Sequence, residues 1–205
     1  MVIDLELPVW IYRVGETCFS NDQIRAMINR TNKKLSPCGI EVVIERTSEV
    51  KENSYAYVNV DTEAGYQNHV DLLKSYRPIA ESRLRIFLVK ADISYQHGSW
   101  TYDPIASPQD EEIWRGAIFI TELFNNNSDQ SYVDMGYLPN NDSLLHEIGH
   151  VLMQEKDHYD GPHSNFFHSR AEMTDDTIFP SQIHRMRDTL RNSPHDYLTR
   201  ISTNS

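Results

Sequence analysis

His146-Glu147-Ile148-Gly149-His150 sets two imidazoles four residues apart on either side of a carboxylate. On a helix, four residues span a little more than one turn, so both rings leave one face and can grip a single cation. Glu147 then lies about 100° around the helix from His146, beside the cation rather than under it. A carboxylate there can take a proton from a water held at the metal. Neutral imidazole suits zinc, whose tetrahedral preference asks for a third protein ligand and leaves one corner for water. Asp157 and His158 both follow closely enough to turn back onto the metal, and zinc accepts oxygen or nitrogen. His163 and His168 stand in reserve as outer groups, while His184 and His195 fall on or after the last helix as solvated residues. A chance histidine pair leaves unexplained why it lies in an apolar run and why seven of nine histidines follow residue 145.

The elements that must carry this motif can be read from period and punctuation. Leu144 to Met153 reads as a helix, preceded by possible N-caps in Asn140-Asn141-Asp142-Ser143, with Leu145, Ile148 and Leu152 on its buried face. Residues 8–14, 40–45, 84–90 and 116–121 are rich in β-branched and aromatic residues and read as strands. Between the first two, Ser20-Asn21-Asp22 caps a helix over 21–35 that Pro37-Cys38-Gly39 stops. A closing helix over 180–190 has Ser181 placed as its cap and Ile183, Met186 and Leu190 as its inner stripe. A long polar loop with Tyr95, Trp100, Tyr102 and Trp114 separates the third and fourth strands. Strand, helix, then further strands argues for layered sheet and helix rather than a bundle.

Composition removes several function classes. A chain of 205 residues is one domain of ordinary size and can bury a core without staples. Its net charge of −11 argues against a nucleic-acid binder and predicts poor affinity for anionic membranes. No apolar run approaches the roughly 20 residues of a membrane span. Cys18 and Cys38 flank the first helix, whose fifteen residues rise about 22 Å, so both thiols are expected to stay free. Met1 to Glu6 lacks the basic start and apolar run of a signal peptide. Free thiols and such a start fit a cytosolic protein, a bacterial effector or toxin exported by a dedicated secretion system, or a mature fragment whose leader was removed.

His146-Glu147-Ile148-Gly149-His150-Val151-Leu152, with Asp157-His158-Tyr159 and Gly161-Pro162 after it, resembles the metzincin clan of zinc endopeptidases. Residues 157–164 are especially similar to the snapalysins, whose third zinc ligand is an aspartate, which would place Asp157 on the metal. The general metzincin pattern, with histidine there, points to His158 instead. Residues 179–187 look like the closing helix of bacterial and pappalysin-like metzincins. The resemblance implies an α+β fold over residues 1–205: a mixed twisted sheet, a long backing helix and an active-site helix to about residue 152. A smaller, mostly irregular subdomain with a closing helix would follow from about 153.

Two positions depart from that pattern. Met153 and Lys156 stand where metzincins have a turning glycine and the third ligand, so the helix is expected to run on into a longer turn. The methionine beneath the metal is replaced by Phe167, with Met173 as an alternative. The resemblance implies one zinc ion with Glu147 as general base; the chain is expected to act as a monomer. The resemblance also implies that an exposed strand, 116–121, pairs with an extended peptide substrate. The rival reading is a non-catalytic binding protein on a zincin scaffold with a structural metal site, which both Asp157 and His158 binding at once would create. A weaker rival is a metal-dependent hydrolase with another substrate.

Overall fold

In a computed structural model of the chain, the structure describes residues 3–15, 19–51, 63–76, 83–89, 99–101, 116–121, 143–155, 162, 164–166 and 177–192. The order is β1 (Leu5–Val14), α1 (Asn21–Leu35), one 3-10 turn (Ser36–Cys38), β2 (Ile40–Val50) and α2 (Glu63–Ser75). There follow β3 (Leu84–Val89), β4 (Ser99–Thr101), β5 (Ala117–Thr121), α3 (Ser143–Met153) and α4 (Pro180–Asn192). The strands form one sheet in the order β2-β1-β3-β5-β4. The first four are parallel and β4 is antiparallel to β5, so the sheet is mixed, as the resemblance implies.

A parallel sheet covered on both faces needs apolar residues at nearly every position, and β3 is buried along its whole length. Its alternation sorts the core into two layers. Leu84, Ile86 and Leu88 join Val9 and Ile11 of β1 and Ile118 and Ile120 of β5 in one cluster, which α1, α3 and α4 complete with Ile24, Ile28, Ile148 and Met186. Phe87 faces the other way with Tyr12 and Phe119, packed with Leu72 and Leu73 of α2. These three rings sit at one register level across β1, β3 and β5 and stack at 5.0 and 4.9 Å. Arg85 is wholly buried on that side, over the Phe87 ring, and donates from Nη1 to the Tyr76 carbonyl at 3.2 Å. Burial pushes its guanidinium down to about 10.

Helix ends explain where the chain turns. Ser20 caps α1 by accepting from the Gln23 amide, and the Gln23 side chain returns the bond to the Ser20 amide. Gly39 ends the turn after α1 in the left-handed region at φ 73°. A side chain there would also collide with a clamp: a Cβ would lie 2.3 Å from Nη1 of Arg187 and 2.7 Å from Oδ1 of Asp4. Arg187 binds both carboxylate oxygens of Asp4 and also the Cys38 carbonyl, with Arg191 adding a bond to Asp4. The first strand's entry is thereby tied to the last helix. Cys38 is buried and free, as expected; Cys18 lies outside the described residues.

Several expectations need correction. Residues 116–121 are not an exposed edge: β5 pairs with β3 on one side and β4 on the other, and β4 takes the end of the sheet. The polar loop between 84–90 and 116–121 therefore contains a strand at residues 99–101. Helix α2 escapes the sequence reading because its apolar residues, Val70, Leu72 and Leu73, cluster late instead of recurring every turn. Ser181 is not the cap of α4. The helix begins at Pro180, whose fixed φ and missing N–H suit the first helical position, and the Gln182 side chain accepts from the Phe179 amide at 2.9 Å.

Gly39→Ala should lower the unfolding free energy by about 1–2 kcal/mol from the backbone alone, with further loss as Arg187 is displaced, measured by denaturant titration. Arg187, first by its hydrogen bond and then by its charge, holds the Asp4 carboxyl below its ordinary value, helped by Arg191. The folded pKa is depressed, so this stabilisation is complete above about pH 4 and fades as pH falls towards the lowered value. Melting curves of wild type and Asp4→Asn should accordingly differ at neutral pH and converge in acid.

Candidate metal centre

Helix α3 was expected to bury one face; instead it is buried all round. Leu144, Leu145, Ile148, Val151, Leu152 and Met153 are core, and His146, Glu147 and His150 are only 2%, 3% and 9% exposed. A helix apolar on most sides and packed against α1, α4, β5 and β4 is central, and its polar residues must be satisfied internally. The two imidazoles lie with centroids 5.0 Å apart and planes at 83°.

Each ring is held by a backbone carbonyl. Nδ1 of His146 lies 3.1 Å from the Phe166 oxygen, and Nδ1 of His150 lies 2.8 Å from the Glu155 oxygen. A carbonyl oxygen only accepts, so both Nδ1 atoms carry the hydrogen. On a neutral ring so held, the lone pair falls on Nε2, an arrangement in which histidine ligates a metal while its other nitrogen is oriented from behind. The two histidines of the motif thus lie close together, each with Nδ1 on a backbone carbonyl, and Glu147 lies between them in sequence.

The carbonyl that holds His150 comes from the way α3 ends. The helix does not run on past Met153: Gln154 takes the left-handed conformation at φ 52°. The Glu155 amide then reaches back to the His150 carbonyl at 3.3 Å, the six-to-one bond of a Schellman turn. The Gln154 side chain also donates to the Val151 carbonyl. Residues 150 and 155 are therefore joined twice, main chain to main chain and ring to main chain. The turn falls one residue after the position where metzincins place glycine, with glutamine accepting the strain.

The carbonyl that holds His146 comes from the 164–166 segment, which bridges to Thr177 as a short parallel pair. Phe166 donates to the Thr177 oxygen at 3.1 Å, and Thr177 donates to the Ser164 oxygen at 2.9 Å. Asn165 is wholly buried and faces Gln182 of α4, and the two side-chain amides exchange hydrogen bonds of 2.7 and 2.9 Å. The sequence reading assigned neither residue a part. Neither carries a local signal in the sequence, because only their pairing across the fold gives them a part.

Asp157, His158, His163, Phe167, His168, Met173 and His195 lie outside the described residues. Among the described residues no group of three or more metal-ligating side chains occurs, and His184 is exposed on α4 as expected. No helix among them is long and apolar enough to cross a membrane.

The chain matches no known protein-family profile and no curated protein. Its architecture is nevertheless shared with metalloproteinase-II from Bacteroides fragilis, at a TM-score of 0.57 and 14% identity over 91% of this chain. Archaemetzincin from Methanopyrus kandleri gives 0.55 and 10% identity, covering 91% of this chain and 97% of that one. The fold is that of metalloproteases. This chain spans 54% of the Bacteroides structure, about half its length.

Left-handed backbone at Gln154 gives a test of the turn. Gln154→Val, β-branched at positive φ, should destabilise the protein by about 1–2 kcal/mol, whereas Gln154→Gly should stay near wild type because relief of backbone strain offsets the lost side-chain bond. Denaturant midpoints of the two variants check the ordering.

Proposed function

We propose that this protein is a zinc-dependent endopeptidase of metzincin-like type. The observation that carries the reading is that both histidines of one buried turn have Nδ1 on a backbone carbonyl, with Glu147 buried on the same turn, the orientation in which a neutral imidazole presents Nε2 to a metal. A divalent cation complements such a site. His146 and His150 would hold the ion, with Asp157 or His158 as the third ligand. Zinc bound there would acidify a water to a pKa near ~7 and polarise a substrate carbonyl.

The chain's own residues supply the rest. Glu147 accepts a proton from the attacking water and delivers it to the departing amine, general base then general acid on one carboxylate. The carbonyls of Phe166 and Glu155 keep both imidazoles oriented while charge develops. An extended peptide adds to the outer edge of β4, which lies beside α3 at the end of the sheet, by backbone hydrogen bonds. The likeness to metalloproteinase-II and archaemetzincin supports this at the level of the fold. The enzyme acts as a monomer on protein substrates.

Purified protein should carry one zinc per chain and cleave an unfolded casein mixture. Glu147→Ala should keep its zinc and lose at least ~100-fold in rate, and His146→Ala should lose zinc. A fully zinc-loaded wild type that cleaves no better than Glu147→Ala would refute the peptidase reading.

A further inference from the structure

Behind the two histidines run two separate chains of hydrogen bonds, and both end on α4. Gln182 Oε1 accepts from the Phe179 amide and from Asn165 Nδ2, so its Nε2 must be the donor to Asn165 Oδ1. Asn165 Nδ2 also donates to the Thr177 carbonyl at 2.9 Å. Every amide in this buried group has one allowed orientation, and it fixes the segment whose Phe166 carbonyl meets His146. The second chain is shorter: Arg185 pairs with the Glu155 carboxylate, and the Glu155 carbonyl meets His150. Gln182 and Arg185 are three residues apart, hence neighbours on one side of α4. The helix is itself anchored to the core by Met186 and Leu190.

We infer that α4 is the positioning element of the metal site, with Gln182 setting His146 through Asn165 and Phe166, and Arg185 setting His150 through Glu155. Neither residue touches substrate or metal; both act through the carbonyls that fix ring rotation and tautomer. The inference deepens the reading of His146 and His150 as ligands and rests on it. The two arms differ in what else they do. The amide pair is buried and also holds the fold together, whereas Arg185 and Glu155 are 44% and 42% exposed, and a surface pair of that kind contributes little to folding. A loss at the site without a loss of stability is therefore the mark of the Arg185 arm.

The test reads the rings without metal. Long-range proton–nitrogen spectra of the full, metal-free chain with labelled histidine should show His146 and His150 each as a single Nδ1–H tautomer. In Gln182→Ala only His146 should become a mixture, and in Arg185→Ala only His150. Zinc affinity, from competition with a chelating dye, should fall ~10-fold in each variant. The melting temperature of Arg185→Ala should stay near wild type, and Arg185→Lys should recover part of the affinity. If Gln182→Ala does not fold, the exposed Arg185 position decides alone. Rings unchanged in both variants, or both rings loosening together in either, would overturn the inference. Selective loosening in the two variants, with a wild type that binds no zinc, would uphold the positioning role while refuting the proposed function.

Discussion

A histidine buried among leucines and isoleucines persists only if its ring hydrogen finds an acceptor, and in α3 that demand falls twice within one turn. The Nδ1 hydrogens of His146 and His150 go to the carbonyls of Phe166 and Glu155, contributed by two segments that both contact α4. Those carbonyls must be delivered to a defined place, which falls to residue 155 at the end of α3 and to the 164–166 segment. The chain turns at Gln154, against the preference of a residue with a Cβ, and the 164–166 segment pairs with residue 177. The backbone strain at Gln154 is sustained because the Schellman bond and the His150 ring both converge on residue 155.

The rest of the fold supplies the rigidity that such an arrangement needs. A mainly parallel sheet covered on both faces gives α3 a fixed bed, with Ile118 and Ile120 in one cluster with Ile148 of the helix. The stacked rings of Tyr12, Phe87 and Phe119 fill the opposite layer. Helix α4, which reaches both carbonyl-bearing segments, is moored at its far end by Arg187 and Arg191 on Asp4. Entry strand, active helix and closing helix thus form one connected unit, although the residues involved are spread across the whole chain.

What could be read from the sequence divides along the range of the interaction. The motif on α3, the capped helix α1 and the strands β1, β2, β3 and β5 were legible because their signals are local: spacing, caps and β-branched runs. The mixed sheet with its backing and closing helices followed from the resemblance. Pairing partners were not legible. Ser99-Trp100-Thr101, though two of its residues favour strands, is too short a run to read as one and becomes β4 by lying against Ile118–Ile120, which moves the open edge away from 116–121. Ser181 looked like a cap because serine is a strong N-cap former, yet Pro180 claims the first helical position and Gln182 reaches back instead. The extent of burial of α3 was missed for a related reason: His, Glu and Gly interrupt its apolar count, and only the carbonyls supplied from elsewhere allow those residues inside. Asn165 and Gln182, seventeen positions apart, are invisible to any periodic rule.

The account depends on two imidazole nitrogens, both Nε2, meeting one ion. X-ray absorption at the zinc edge of the loaded, full chain measures that shell directly. It should show two imidazole scatterers at about 2.0–2.1 Å, completed by oxygen or nitrogen. A shell containing sulfur, or fewer than two imidazoles, would contradict it.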